Sequence, residues 1–210
     1  MPAKEIESVH TGTTTVGLVY ADGVVLASDK KATMGHLAYD LDIQKIYKIT
    51  DSVGLTIAGS VGDALTVVRF LRSHAKLFEV ERESKFTPKS AATLLSNVLN
   101  GTRFYPYFAQ FIVGGVGEAP ELFDIDPSGG LLARKRFAVT GSGTELALSL
   151  LDSVYKESMS KEEGVQTAVK AVLSAKKRDI FSGGAGVDVL VFSKSGKAEQ
   201  FEVADAEKAR

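Results

Sequence analysis

Residues 12–17 read Gly-Thr-Thr-Thr-Val-Gly. A threonine hydroxyl is a weak nucleophile and needs a base beside it. Cutting the Gly12–Thr13 bond would leave Thr13 with a free α-amino group next to its own hydroxyl. Such an amine titrates at about 7.7–8.0, so it can take the hydroxyl proton at neutral pH. Taken alone, three threonines in a row are ordinary strand sequence, because Thr is β-branched and pairs well. Their position adds to this. Gly12 immediately precedes the first of them, and the short polar leader Met1–Gly12 fits no structural element. Two charged residues complete the constellation. Ser28-Asp29-Lys30-Lys31 ends the second strand and Lys45 opens the third. Singly, such an Asp reads as a turn or cap residue and such a Lys as a solvated one. Together beside Thr13, an Asp29–Lys45 pair supplies a fixed positive charge that favours the deprotonated amine and the alkoxide.

Elements that could position these groups follow from periodicity. Thr13–Val19 and Val24–Ala27 are β-branched runs around the turn Ala21-Asp22-Gly23, a hairpin signal. Ile46–Ile49 and Val53–Ala58 form a second such pair around Thr50-Asp51-Ser52. The spacing of Ala64, Val67, Val68, Leu71, Ala75 and Phe78 predicts a long helix. Thr87-Pro88 starts the next, with Ala91, Leu94, Leu95 and Val98 on one face. Strands return at Ala109–Val113, Glu121–Asp126 and Arg134–Thr140. Capping boxes at Ser142–Glu145 and Ser160–Glu163 open two more helices, striped by Ala147, Leu150, Leu151 and Val154 and by Val165, Ala168, Val169 and Val172. Lys176, Lys177 and Arg178 suit the negative end of the last helix dipole. Val187–Phe192 and Ala198–Val203 close the chain as a strand pair, and the charged tail Ala204–Arg210 is expected to fray. Segregated runs of strands and helices imply an α+β fold. Four amphipathic helices each need a sheet face, which two stacked antiparallel sheets with a helix pair on each outer side would provide.

Composition narrows the function classes. Length favours one domain. Over 210 residues, 25 basic side chains balance 26 acidic ones, which is not the footprint of a nucleic-acid or polybasic membrane binder. With no Cys there are no disulfides, iron–sulfur clusters, Cys-based zinc sites or Cys nucleophile, and a reducing compartment suits the chain. His10, His36 and His74 are too few and too scattered for a multi-His metal site, and neither metal nor cofactor is expected. The leader carries Lys4, Glu5 and Glu7 and lacks the apolar stretch of a secretory signal. No apolar run approaches the roughly 18 residues that span a bilayer. The chain reads as soluble and cytoplasmic.

Six motifs in order carry a family resemblance: Thr-Gly-Thr-Thr-Thr-Val-Gly at 11–17, Ala-Ser-Asp-Lys-Lys-Ala-Thr-Met-Gly at 27–35, Gln-Lys-Ile around Lys45, Ala-Gly-Ser-Val-Gly-Asp at 58–63, Gly-Ser-Gly at 141–143 and Arg-Asp-Ile-Phe-Ser-Gly-Gly at 178–184. Over essentially its whole length the chain resembles archaeal-type proteasome β subunits, threonine peptidases of the N-terminal-nucleophile hydrolase superfamily. The resemblance implies a four-layer αββα sandwich. It also implies a propeptide, 1–12, removed by autolysis at Gly12–Thr13, followed by one catalytic domain, 13–210. Thr13 would then be the nucleophile, Lys45 would tune its pKa and Asp29 would hold Lys45. The Gly59 N–H would receive the oxyanion. Ser142, Asp179 and Ser182 would form a polar cluster near the Thr13 amine. Thr33 would align the substrate backbone, and Ala32, Ile43, Tyr47, Ile57 and Val61 would line the pocket for the residue before the scissile bond. An uncharged pocket prefers apolar side chains, so chymotrypsin-like cleavage is expected, with Ile57 limiting depth. Assembly would be into seven-membered β rings, two face to face, capped by rings of homologous α subunits and fed unfolded polypeptide by a regulatory ATPase. The sequence shows no α-type helix at its N-terminus, which suits the β role.

Other readings stand beside this one. Ser142 serves equally as a helix N-cap. Ser182-Gly183-Gly184-Ala185-Gly186 can be a plain helix-to-strand turn; as a phosphate cradle it is poor, because it follows a helix and lacks the Gly-Lys-Ser/Thr ending. The Gly114-Gly115 and Gly129-Gly130 pairs read as turns. Tyr105, Tyr107 and Phe108 lack the basic surround of a base-stacking surface and read as core or interface. A ring subunit without activity, or another N-terminal-nucleophile enzyme such as an amidase or the simpler bacterial two-ring peptidase, are the alternatives. A Ser/His/Asp hydrolase is disfavoured, since no Gly-x-Ser-x-Gly occurs and His10 would leave with the leader.

Overall fold

The computed structural model describes residues 12–194 and 196–205. Residues 1–11 of the leader and 206–210 of the tail lie outside the described residues. In chain order the elements are β1 (Thr15–Tyr20), β2 (Gly23–Ser28), β3 (Ala32–Met34), β4 (Leu37–Asp40), β5 (Ile46–Lys48), β6 (Val53–Gly59), α1 (Val61–Arg82), α2 (Pro88–Gly101), β7 (Ala109–Val116), β8 (Pro120–Ile125), β9 (Leu131–Ala133), β10 (Phe137–Thr140), α3 (Thr144–Val154), α4 (Lys161–Lys176), β11 (Val187–Ser193) and β12 (Glu199–Val203). One antiparallel sheet runs β10-β1-β2-β11-β12 and the other β5-β6-β7-β8-β9, with β3-β4 as a separate hairpin. Among the described residues no helix is long and apolar enough to cross a membrane.

Strand alternation builds three apolar layers from these two sheets. On β1 and β2, Val16, Leu18, Tyr20, Val25 and Ala27 face α3 and α4, packing on Ala147, Leu151, Ala168 and Val172. Val24 and Leu26 point the other way and meet Ile46, Ile112 and Leu122 of the second sheet. That sheet's outer face, with Val53, Leu55, Phe111 and Val113, is covered by α1 and α2. The result is the expected α+β sandwich in the order helices, sheet, sheet, helices.

Glycine sets how closely the sheets approach. A Cβ on Gly54 would sit 2.7 Å from the Phe192 ring and 2.8 Å from Leu26, and one on Gly17 would sit 2.6 Å from Leu122. Nearer the open end of the sandwich the contact is polar: Thr15 Oγ1 is hydrogen-bonded to Thr56 Oγ1 in the opposite sheet (3.0 Å) and to Thr140 Oγ1 (2.7 Å).

Most elements lie where periodicity put them, and the differences have local causes. The first hairpin turns at Ala21-Asp22, because Tyr20 already pairs with Gly23. Gly23 is a strand residue, and its Cβ would fall 1.8 Å from the Phe192 carbonyl oxygen. Close approach of β11 therefore requires this glycine, and the turn does not. Thr87 caps α2 through Ser90 N, and Ser160 and Glu163 form the expected capping box. The box at Ser142–Glu145 does not form: Gly143 is the N-cap of α3 and no side chain caps it. Arg134–Thr140 is not one strand, since only Phe137–Thr140 pairs with β1 while Leu131–Ala133 pairs with β8. Of the aromatic group, Tyr107 packs on the α1–α2 core, whereas Tyr105 and Phe108 are exposed.

Gly54→Ala is expected to destabilise the fold by about 1–3 kcal/mol, since Phe192 and Leu26 must both move. The midpoint of urea denaturation, at unchanged slope, is the measurement that checks it.

Candidate active site

Thr13 and Thr14 lead into β1, and Asp29 follows the end of β2, with Asp29 N donating to Thr14 O (3.1 Å). The antiparallel pairing of β1 with β2 thus brings Asp29 opposite Thr14, one residue from Thr13. Asp29 is wholly buried, and a buried carboxylate must be paired or hydrogen-bonded. Its Oδ1 accepts from Lys45 Nζ at 2.7 Å and from Thr14 N at 2.9 Å. Its Oδ2 accepts from Gly183 N at 2.8 Å and from Lys31 N at 3.3 Å. Four donors therefore fix one carboxylate.

Lys45 is buried as well. Burial pulls its ammonium below the ordinary lysine value; the charge and hydrogen bond of Asp29 oppose this, and Lys31 adds to it. Nζ also lies 3.4 Å from the carbonyl oxygen of Gly12. That same oxygen accepts from Thr13 Oγ1 at 2.6 Å. The hydroxyl and the ammonium therefore converge on the carbonyl of the bond before Thr13.

A second cluster holds the other side of Thr13. Its N–H donates to Ser142 Oγ (3.1 Å), which in turn donates to Asp179 Oδ2 (2.6 Å). Ser182 Oγ donates to the same Asp179 oxygen (2.5 Å) and accepts from Thr14 Oγ1 (2.6 Å). Ser142 has one hydroxyl proton, and the charge-assisted bond to Asp179 engages it here. Its Oγ accepts from Thr13 N while Gly143 takes the N-cap position with no side-chain bond, so Ser142 belongs to this cluster and does not cap α3.

A cavity of about 30 Å³ opens beside Thr13, walled by Ala32, Thr33, Ile43, Ile57 and Val61 together with Gly12, Gln44, Lys45 and Gly59. Thr33 Oγ1 accepts from Gly12 N at 3.0 Å. Gly59 has φ 130°, and a Cβ there would be 2.2 Å from the Phe108 carbonyl oxygen; only glycine lets this stretch of backbone form the wall. Tyr47 is the exception among the pocket residues expected from the resemblance. It is buried in the α1–α2 core, its hydroxyl donates to Gln44 O (2.9 Å), and Arg72 lies 5.9 Å from its ring centre.

The structure thus gathers Thr13, Asp29, Lys45, Ser142, Asp179, Ser182 and Gly59 around the Gly12–Thr13 bond, with Thr33 holding the Gly12 N–H. It adds Gln44 and the backbone N–H groups of Thr14, Lys31 and Gly183, which the sequence reading did not assign. The signal for Gly183 was the glycine run. A Cβ on Gly184 (φ 86°) would lie 2.6 Å from Leu41 O, so the run is a close-approach loop that carries an N–H to Asp29. Among the described residues no group of three or more His, Asp and Glu side chains is placed to hold a metal ion. Chemically, the arrangement can deliver a hydroxyl to a carbonyl whose oxygen is already polarised.

Comparison with known proteins places the chain among named relatives. The model of the family described as proteasome subunit matches residues 9–192. The chain is 46% identical over 187 residues to "Proteasome subunit beta" of Methanocaldococcus vulcanius, covering 88% of this chain and 83% of that protein. It is 46% identical over 188 residues to "Proteasome subunit beta 2" of Pyrococcus abyssi, covering 90% of each. It is 45% identical over 194 residues to "Proteasome subunit beta" of Archaeoglobus profundus, covering 92% and 90%.

Asp29→Ala leaves the buried Lys45 without its counter-charge and is expected to cost about 3–5 kcal/mol in denaturant titrations. The Lys45 shift also has a sign. Because burial lowers its value in the folded chain, there is an alkaline window in which the unfolded chain keeps a proton that the folded one has lost, and stability gains with pH there. Denaturation curves taken from neutral pH to about pH 10.4 are expected to show this gain in the parent and to lack it in Lys45→Met.

Proposed function

The chain belongs to the proteasome subunit family, and on that premise we propose that it is a β-type subunit, a threonine endopeptidase of the proteasome core particle whose nucleophile is Thr13. The observation that carries this reading is the convergence of the Thr13 hydroxyl and Lys45 Nζ on the Gly12 carbonyl oxygen, at 2.6 and 3.4 Å. In the precursor, Thr13 Oγ attacks the Gly12 carbonyl carbon and the Gly12–Thr13 C–N bond breaks, leaving an ester. Water then hydrolyses that ester to a Gly12 carboxylate and a free Thr13 amine. Residues 1–12 leave as the propeptide, and 13–210 form the single catalytic domain.

In the mature chain the amine accepts the Oγ proton and the oxygen attacks the substrate carbonyl. The Gly59 N–H receives the developing oxyanion. The amine then returns the proton to the leaving nitrogen, and water releases the acyl group. Lys45, held by Asp29, keeps a cation beside the oxygen. Ser142, Asp179 and Ser182 orient the amine. Thr33, which now accepts from Gly12 N, takes the same bond from a substrate backbone. Ala32, Ile43, Ile57 and Val61 give the pocket an apolar wall, and we assign it a chymotrypsin-like preference for large apolar side chains, with Ile57 limiting depth. The assembly we propose has seven-membered β rings, two face to face, α-subunit rings outside them, and a regulatory ATPase that threads unfolded polypeptide into the chamber. A cytoplasmic location accompanies this reading and suits a chain without cysteine.

The test is the intact mass of the subunit in the assembled particle. Loss of Met1–Gly12, roughly 1.3 kDa for this kind of processing segment, is expected; a full-length mass would leave a ring subunit without its base. Thr13→Ala is expected to keep the leader and to lower peptide cleavage at least about 10³-fold. Cleavage after Arg or Glu in preference to Phe or Leu would contradict the pocket assignment.

A further inference from the structure

Lys30 has no part in the mechanism above, yet it is a second buried cation near this site. Its side chain is 9% exposed and its ammonium pairs with Asp42, with Glu202 of β12 at 2.6 Å and with Asp188 of β11 at 3.8 Å. Desolvation works against this charge. The bonds to Asp42 and Glu202 and the field of Asp188 outweigh it, and the group sits above the ordinary lysine value. Three carboxylates around one cation leave an excess of negative charge, so Asp42, Asp188 and Glu202 repel one another wherever Lys30 does not separate them.

Asp42 lies in the middle of the short strap 41–43. Ile43 N donates to Lys30 O (2.9 Å), and Ala185 N donates to Leu41 O (3.0 Å). The Cβ missing from Gly184 would otherwise meet Leu41 O at 2.6 Å, so the strap rests directly on the glycine loop. Its outer side has little packing. Met34, Leu37 and Tyr39 of the preceding hairpin and Leu41 of the strap itself are all exposed. Polar anchors, not burial, therefore hold the strap, and Ile43 at its end is a wall of the cavity beside Thr13.

We propose that Lys30 is a specificity-determining positioning residue: by neutralising Asp42 against Asp188 and Glu202 it fixes the 41–43 strap and so sets where Ile43 bounds the substrate pocket. The inference rests on the reading of Thr13 as nucleophile and adds a residue that touches neither substrate nor Thr13. Removing the cation releases Asp42 from the cluster and lets the Ile43 wall move, which alters selection among side chains without changing the groups that do the chemistry.

The experiment uses assembled particles carrying Lys30→Met, Lys30→Arg or Asp42→Asn. Asp42 is 75% exposed, so its variant folds even where Lys30→Met does not. Two readouts are taken: kcat and KM for peptides differing only in Phe or Ala before the scissile bond, and the rate at which a glycine vinyl sulfone, which offers the pocket no side chain, labels Thr13. The Phe-to-Ala ratio of kcat/KM is expected to fall at least about fivefold in Asp42→Asn and Lys30→Met, through KM, within the range that one pocket wall can supply. Lys30→Arg is expected to recover part of the loss, and labelling to stay within about twofold of the parent. An unchanged ratio in Asp42→Asn overturns the inference, as does a loss of labelling equal to the loss of cleavage. A parent particle that the probe does not label at Thr13 overturns the nucleophile reading itself.

Discussion

A carboxylate that is wholly buried must be surrounded by donors, and meeting that requirement organises this end of the molecule. Asp29 collects the Lys45 ammonium and backbone N–H groups from the start of β1, from its own turn and from the glycine loop after α4. Segments more than 150 residues apart in sequence, Asp29 and Gly183, are thereby locked together. The interaction is of the kind that is costly to break and of modest net worth while intact. Its role in the structure is positional. It holds a second buried charge, Lys45, at a defined distance from the Gly12 carbonyl.

The sandwich supplies the stiffness that such a site needs. Both sheets are packed on both faces, and their separation is set by glycines where side chains would not fit. Thr13 precedes β1, Asp29 follows β2, Lys45 precedes β5, and Gly59 ends β6. The catalytic groups proposed here therefore sit at element ends, where direction comes from the sheet and exposure from the adjoining loop. The wall carrying Ile43 differs. It hangs on a polar cluster at the foot of an exposed hairpin, so the chemistry and the selection of side chains have separate supports.

Much of this was legible in the sequence. The Gly-Thr junction, the Asp and Lys at strand ends and the helical stripes each have a single physical cause: side-chain chemistry, charge and periodic burial respectively. What escaped notice has a common origin. The N–H groups of Thr14 and Gly183 carry no side-chain signature, so backbone donors to Asp29 could not be read. β3 and β4 lack alternation because the hairpin they form is exposed, and periodicity then has nothing to report. Ser142 could cap a helix or join a polar cluster, and its oxygen accepts from Thr13 N and from no helix N–H, because the N-cap falls one residue later, at Gly143. Tyr47 is a pocket residue on the resemblance alone, but its ring packs in the core under α1 and α2, on the same sheet face as Ile57, a distinction that strand alternation alone does not make.

The bond between Gly12 N–H and Thr33 has a kinetic meaning. Gly12 occupies the place proposed for a substrate backbone through its N–H bond to Thr33, and if the leader is a propeptide, as proposed, the precursor blocks its own cleft. On the autolysis proposed above, release from that state is unimolecular, driven by the high effective molarity of a hydroxyl tethered to the carbonyl it attacks. Under that proposal the onset of activity is timed by an internal clock, set by the geometry around one peptide bond and not by the supply of substrate.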